Sequence, residues 1–193
     1  MNTMLRKSVL AIAGLTVAGG LAAGPLNHTD TTTNTSTATV AQATKPDTAK
    51  LIPHGVQGNQ SHIDLNDEQV ANTKAIIAAT KKTGMDERAA VVSIATALQE
   101  SKLENLGHLG DRNDHDSQGL FQQRPSSGWG TVEQITDPEY STTAFLKGLQ
   151  QVDGWQNMPL TEAAQTVQVS AYPFHYAQWE QQAADLVAEH WNS

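Results

Sequence analysis

The chain has 193 residues, which is enough for one domain with attached segments. Its formal net charge of −8 argues against nucleic acid and anionic membrane surfaces as partners, because both carry negative charge. The absence of cysteine excludes disulfides, cysteine proteases and thiolate metal sites, so a folded domain must rely on its apolar core.

The first 24 residues have the pattern of a secretory signal peptide. Arg6 and Lys7 precede an apolar run over residues 8–24, and Ala22 is a small residue of the kind preferred at a cleavage site. An uncleaved membrane anchor is the alternative. The run is short and rich in Gly and Ala for a membrane span, so we expect export with cleavage and an extracellular or cell-wall location.

Residues 25–63 are predicted to form a disordered tether. Threonine dominates residues 25–50, which hold almost no large apolar side chain, and residues 51–63 are interrupted by Pro53, Gly55 and Gly58. A segment of this composition cannot bury enough surface to offset the entropy lost on ordering. The folded domain is therefore expected to span residues 64–193.

Two helices are predicted at the start of this domain. Asn66 and Gln69 have the spacing of a capping box, and the helix that they begin stops at Gly84. Asp86 is expected to cap a second helix over about residues 87–101. That second helix is apolar on nearly every face, which is typical of a helix in the middle of a domain.

Three further helices are predicted after a long loop. Asp137 caps one that has Pro138 in its first turn, and Thr161 caps a shorter one that ends near residues 172–173. The last helix carries apolar side chains at spacings of three, four and seven residues: Tyr176, Trp179, Ala183, Leu186, Val187 and Trp191. No stretch alternates with period two, so the expected fold class is all-α, with a long cleft-forming loop.

Glu100 stands at the end of the apolar second helix. Burial and the negative end of the helix dipole both disfavour a carboxylate anion, and both are expected to raise its pKa. A carboxyl group that keeps its proton at neutral pH can donate it to a leaving oxygen, as cleavage of a glycosidic bond requires. The alternative is an ordinary solvated glutamate, which is the commoner case. The following loop favours a site, since loops longer than about 12–15 residues are usually functional.

The motifs around Glu100 resemble those of goose-type lysozymes and soluble lytic transglycosylases. They are Glu100-Ser101, Gly110-Asp111-Arg112, Gly119-Leu120-Phe121-Gln122 with a following Gly-Trp, and Ser170-Ala171-Tyr172-Pro173. Together they cover roughly residues 86–179. The resemblance implies a lysozyme-like helical domain that cleaves the glycan strands of peptidoglycan.

By this resemblance Glu100 is the general acid, and Asp111 matches an aspartate near the attacking water of goose-type enzymes. An inverting hydrolase needs such a second carboxylate, whereas lytic transglycosylases use the acetamido and 6-hydroxyl groups of the substrate. Arg124 stands where goose-type enzymes often carry a further aspartate, and Pro173 stands where the family usually has asparagine. Hydrolase and transglycosylase therefore stay open, and Pro173 favours the alternative of a non-catalytic glycan-binding or envelope-interaction module.

The resemblance also implies a set of substrate-binding residues. Gly119, Leu120 and Gln122 would form a cleft wall, with Gln122 hydrogen-bonded to sugar, and Tyr172 would orient Glu100 or the substrate. Ser101 directly follows the acid and is assigned to the same group. Trp129 is expected to stack on a sugar ring, the alternative being a packed anchor of the loop.

Other chemistries fit the sequence less well. Asp111, Asn113, Asp114 and Asp116 suggest calcium, but in a loop that starts at Asp114 the twelfth position is Pro125 instead of Glu. A solvated acidic loop is favoured, and a loose calcium site is the alternative. The sequence contains neither H-E-x-x-H nor G-x-S-x-G. We therefore expect no metal or cofactor, and a monomer whose partner is the glycan strand, with no nucleic acid and no membrane contact beyond the signal segment.

Overall fold

The computed structural model describes residues 45–110 and 115–193. Its α-helices are α1 Thr48–Leu51, α2 Asp67–Lys82, α3 Glu87–Ser101, α4 Val132–Ile135, α5 Pro138–Leu149, α6 Leu160–Gln168 and α7 Glu180–His190. Three short 3-10 segments, Pro125–Ser127, Trp155–Asn157 and His175–Trp179, lie between them. Within these described ranges there is no strand, only an isolated bridge between Gln118 and Gln123. The predicted all-α class is confirmed, while the predicted signal peptide and Asp111 lie outside the described residues.

The central element is α3, whose residues from 88 to 98 are all buried. The Asp86 side chain accepts a hydrogen bond from the backbone of Ala89 and so fixes the start of the helix. The helix packs against α2, α5, α6 and α7. This agrees with the prediction of an all-round apolar helix, and it places Glu100 where α3 leaves the core.

Side-chain caps define two other helices as predicted. Asn66 and Gln69 form the complete capping box of α2, and Asp137 caps α5 ahead of Pro138. The Thr161 cap was wrong, because α6 begins directly after Pro159 and the Thr161 hydroxyl donates instead to the backbone oxygen of Pro173 at 2.6 Å. The α6 helix ends at Gln168, earlier than the predicted end near residues 172–173.

The last predicted helix is divided in the structure. Tyr176 and Trp179 lie on the 3-10 segment, and α7 starts only at Glu180. The carboxylate of Glu180 accepts a hydrogen bond of 2.7 Å from the Arg88 guanidinium, and both side chains are buried. This ion pair joins α7 to the start of α3.

Ordered packing begins before the predicted boundary at residue 64. Leu51 and Ile52 belong to the hydrophobic core, and Arg88 donates to the backbone oxygen of Leu51 at 2.8 Å. Ile63 exchanges two hydrogen bonds with the Gln182 side chain of α7. The folded part therefore begins earlier than residue 64, because Leu51, Ile52 and Ile63 contact residues far along the chain. No helix in the described ranges is long and apolar enough to cross a membrane.

Candidate functional site

A cleft with a cavity of about 760 Å³ opens beside the end of α3. Its walls come from three parts of the chain: Glu100, the loop over residues 115–129, and the segment over residues 167–171. This volume lies within the range of sites that bind small molecules. Among the described residues that line the cavity, Glu100 is the only carboxylate.

The half-buried carboxylate of Glu100 is oriented by side chains from α6 and from the 3-10 segment before α7. The hydroxyl of Tyr176 donates to Glu100 Oε1 at 2.7 Å, and the amide of Gln168 approaches the same oxygen at 3.4 Å. Gln168 also donates to the backbone oxygen of Phe121 at 2.9 Å, so its amide bridges the acid and the cleft wall. The acid is thus held in a defined orientation.

Tyr176 is a hydrogen-bond donor across the working pH range. Its side chain is completely buried. Burial and the negative charge of Glu100 raise the pKa of the phenol well above its ordinary value, while a hydrogen bond with Ser170 acts in the opposite direction. The phenol therefore stays protonated and stabilises the anionic form of Glu100.

Lys102 modifies the electrostatics at the end of α3. It is the left-handed C-cap residue of the helix, and its ammonium donates to the backbone oxygen of Leu98 at 3.0 Å. Burial lowers the pKa of Lys102, and the charge of Glu100 opposes that effect. The Lys102 cation offsets the negative charge at the end of α3, which is one of the two effects expected to raise the pKa of Glu100. That Glu100 keeps its proton at neutral pH is therefore still a prediction.

The cleft wall depends on a glycine. Gly119 has a φ of +77°, and a Cβ added to it would lie 2.0 Å from the backbone oxygen of Ile135 at the end of α4. Ser101 is buried and donates to the backbone oxygen of Leu120 at 2.8 Å. The roles of Ser101 and Gly119 in this structure are thus to position the wall, whereas Gln122 itself lines the cavity.

The rim of the cleft is fixed by Asp116. Its carboxylate accepts hydrogen bonds from the backbone and hydroxyl of Ser126, both at 2.8 Å, and from Arg124 Nε at 3.0 Å. The backbone bond of Ser126 and the Arg124 side chain hold the pKa of Asp116 well below its ordinary range. Arg124, which stands where goose-type enzymes often carry an aspartate, therefore anchors the loop that carries Trp129.

The structure gathers some of the predicted residues and separates others. Glu100, Gln122 and Trp129 line one cavity. Tyr172 is 62% exposed and stacks on His175 at 5.0 Å, and it is not among the residues that line the cavity. The phenol beside Glu100 belongs to Tyr176 instead. Asp111 lies outside the described residues.

Sequence reasoning missed two residues of the site, Gln168 and Tyr176. Tyr176 was assigned to an apolar helix face, and one signal was available, since the hydroxyl of a buried tyrosine usually has a hydrogen-bond partner. Gln168 gives no such signal, because glutamine at the end of a helix is common on surfaces.

Comparison with known proteins does not assign the chain. No protein-family model matches it, and no curated protein is found to be similar to it. The function has therefore to be inferred from the residues of the cleft.

Proposed function

We propose that the chain is a peptidoglycan-cleaving muramidase in which Glu100 is the general acid. The proposal rests on Glu100, the only carboxylate among the described residues that line the cleft. Its side chain is half-buried and accepts a hydrogen bond of 2.7 Å from the Tyr176 hydroxyl. Gln122 and Gln168 line the cleft with amide oxygens that can accept hydrogen bonds from sugar hydroxyls, and Trp129 offers an aromatic face. The motif resemblance to goose-type lysozymes and lytic transglycosylases points to the same substrate.

The hydrogen bond from Tyr176 determines which oxygen of Glu100 carries the acidic proton. Because Oε1 accepts the phenol hydrogen, a protonated Glu100 carries its own proton on Oε2. In the proposed reaction that proton passes to the glycosidic oxygen between the N-acetylmuramyl and N-acetylglucosaminyl units as the bond breaks. The phenol then stabilises the carboxylate that remains.

The second half of the reaction has two candidate routes. An inverting hydrolase needs a second carboxylate to activate water, and Asp111 keeps that role as a proposal. A lytic transglycosylase completes the reaction with the acetamido group and 6-hydroxyl of its substrate, and the proton of that hydroxyl returns to the Glu100 carboxylate. The single carboxylate among the described lining residues is compatible with the second route. We also propose that the N-terminal segment exports the protein to the wall, where this substrate lies.

The test compares the full chain with its Glu100→Gln and Glu104→Gln variants on purified peptidoglycan. Glu104 is exposed and lies outside the residues that line the cleft, so it is the matched control. We expect Glu100→Gln to lose about 10²- to 10⁴-fold in rate, the usual contribution of a general acid, and Glu104→Gln to keep its rate. Mass spectrometry of the soluble products then shows anhydro-muramyl ends for a transglycosylase or reducing ends for a hydrolase.

Two results would contradict the proposal. Equal rates for Glu100→Gln and the unchanged chain would remove Glu100 from the mechanism. Sedimentation of the unchanged chain with the wall, without release of any fragment, would favour the non-catalytic glycan-binding module.

A further inference from the structure

Trp129 lines two cavities. The first is the cleft, and the second is a pocket of about 260 Å³ whose other walls are Gly128 and four residues of α5, namely Tyr140, Thr143, Ala144 and Lys147. The two cavities therefore adjoin at Trp129, and a substituent of a ligand in the cleft has the second pocket beside it. The pocket has about one third of the volume of the cleft (260 against 760 Å³), which suits a substituent better than a further length of glycan.

The pocket is built to receive an anion with an apolar part. Lys147 is the only charged side chain among the described residues that line it. The acid of α5 that precedes Tyr140, Glu139, is paired with Lys82 instead. Tyr140 and Thr143 contribute hydroxyl groups, and Trp129 and Tyr140 contribute aromatic surface.

The position of Tyr140 depends on the same loop that carries Trp129. A Cβ added to Gly130 would lie 3.0 Å from the ring and from the hydroxyl oxygen of Tyr140, so the glycine lets the phenol pack closely on the loop. Two aromatic rings, one from the loop and one from α5, thus border the pocket at fixed positions. Lys147 completes its wall from the last turn of α5.

We propose that this pocket binds the peptide substituent of a muramyl residue and that Lys147 pairs with a carboxylate of that peptide. The inference rests on the proposed function, because a glycan strand in the cleft is what brings the peptide to the pocket. The chain as a whole has a net charge of −8. A local cation offsets the repulsion that an acidic peptide meets on approaching such a protein.

The experiment measures binding by titration calorimetry with the full-length Glu100→Gln variant, which leaves the ligand uncut. Three soluble tetrasaccharides of peptidoglycan serve as probes: one with peptides bearing free carboxylates, one with the same peptides amidated, and one without peptides, whose lactyl carboxylate is free. We expect the first to bind about threefold to fivefold more tightly than the amidated probe, the size of one exposed ion pair, and the peptide-free probe to bind no more tightly than the amidated one. High salt should remove the difference.

Lys147→Gln in the Glu100→Gln background should bind the free-carboxylate and amidated probes alike, with the affinity that its parent has for the amidated probe. Lys74→Gln is the matched control, since Lys74 is an exposed lysine of α2 that lines neither cavity. It should keep the preference for free peptide carboxylates. Lys147 also lies where a cation stabilises a helix end, but loss of that role would lower thermal stability without changing the order of the three affinities.

Three outcomes overturn the inference. The first is equal affinity for the three probes, or a preference that Lys147→Gln leaves intact. The second is tight binding of the peptide-free probe, which would assign the pocket to the lactyl carboxylate. The third is no binding of any probe, which would remove the proposed function as well. A preference that persists while the unchanged chain releases no wall fragments would keep this pocket and reject only the catalysis.

Discussion

Replacing Tyr176 with phenylalanine removes the phenol that donates to Glu100 Oε1 at 2.7 Å and keeps the shape of the buried ring. The phenol favours the carboxylate over the neutral acid, because a hydrogen bond to a charged acceptor is stronger than one to a neutral acceptor, and its raised pKa keeps it protonated. Without it the neutral acid persists to higher pH. The alkaline limb of the activity profile, which reports loss of the proton from a general acid, should therefore move upward.

The magnitude follows from the strength of the hydrogen bond. A hydrogen bond to a charged group contributes about 1.5–3 kcal/mol, and we take the lower end because Glu100 is only half-buried and water can replace the phenol in part. One pH unit corresponds to about 1.4 kcal/mol. The alkaline limb of kcat/KM should thus move upward by about one pH unit.

The assay is the pH dependence of kcat/KM on soluble glycan strands for the unchanged chain and for two variants. Tyr172→Phe is the control, because the exposed Tyr172 is not among the residues that line the cleft, and its limb should stay in place. Unfolding in urea shows whether each variant keeps the fold. An unmoved limb in Tyr176→Phe, or an equal displacement in Tyr172→Phe, would refute this account of how the acid is held.

Three further predictions concern the framework of the site. Gly119→Ala should lower the free energy of unfolding in urea by about 3–5 kcal/mol, because the new methyl group overlaps the backbone of Ile135 and the positive φ strains an alanine. Gly107→Ala is the control: Gly107 has open space around it and no positive φ, so its free energy of unfolding should match that of the unchanged chain. Because the pKa of Asp116 is lowered in the folded state, its carboxylate stabilises the fold above the ordinary carboxyl pKa of about 4, and this stabilisation is lost as the pH falls below about 4. The Tm of Asp116→Asn should therefore be lower than that of the unchanged chain at pH 7, and the difference should shrink as the pH is lowered below about 4. Glu180→Gln should cost about 3–5 kcal/mol because it leaves the Arg88 charge buried without its partner, and a double apolar replacement should cost less than this single change.

Much of the fold could be predicted because its signals are local. The side-chain caps Asn66, Asp86 and Asp137 each accept a hydrogen bond from a backbone group three residues ahead. Such caps can be recognised in a short stretch of sequence. The α4 helix escaped prediction because four residues are too few for a periodic pattern. The break before α7 escaped as well, since the apolar spacing continues through the 3-10 segment.

The candidate site was predictable only in part. Glu100 could be identified because an apolar helix that ends in a carboxylate is visible in the sequence. The roles of its neighbours were not visible, as Ser101 and Gly119 show. Both were assigned to the substrate-binding residues, Gly119 as part of the cleft wall. In the structure Ser101 donates a hydrogen bond to the backbone of that wall, and Gly119 fits against the backbone of α4.

The sequence by itself determined the helical class, the starts of α2, α3 and α5, and the position of Glu100 at the end of the central helix. These depend on residues within a few turns of one another. Tertiary structure alone decided which tyrosine meets the acid, since Tyr176 lies 76 positions away and the packing of its 3-10 segment against α3 joins the two. It likewise placed Leu51 and Ile52 in the core and set Trp129 at the border of two cavities, because contacts between distant segments leave no periodic trace in the sequence.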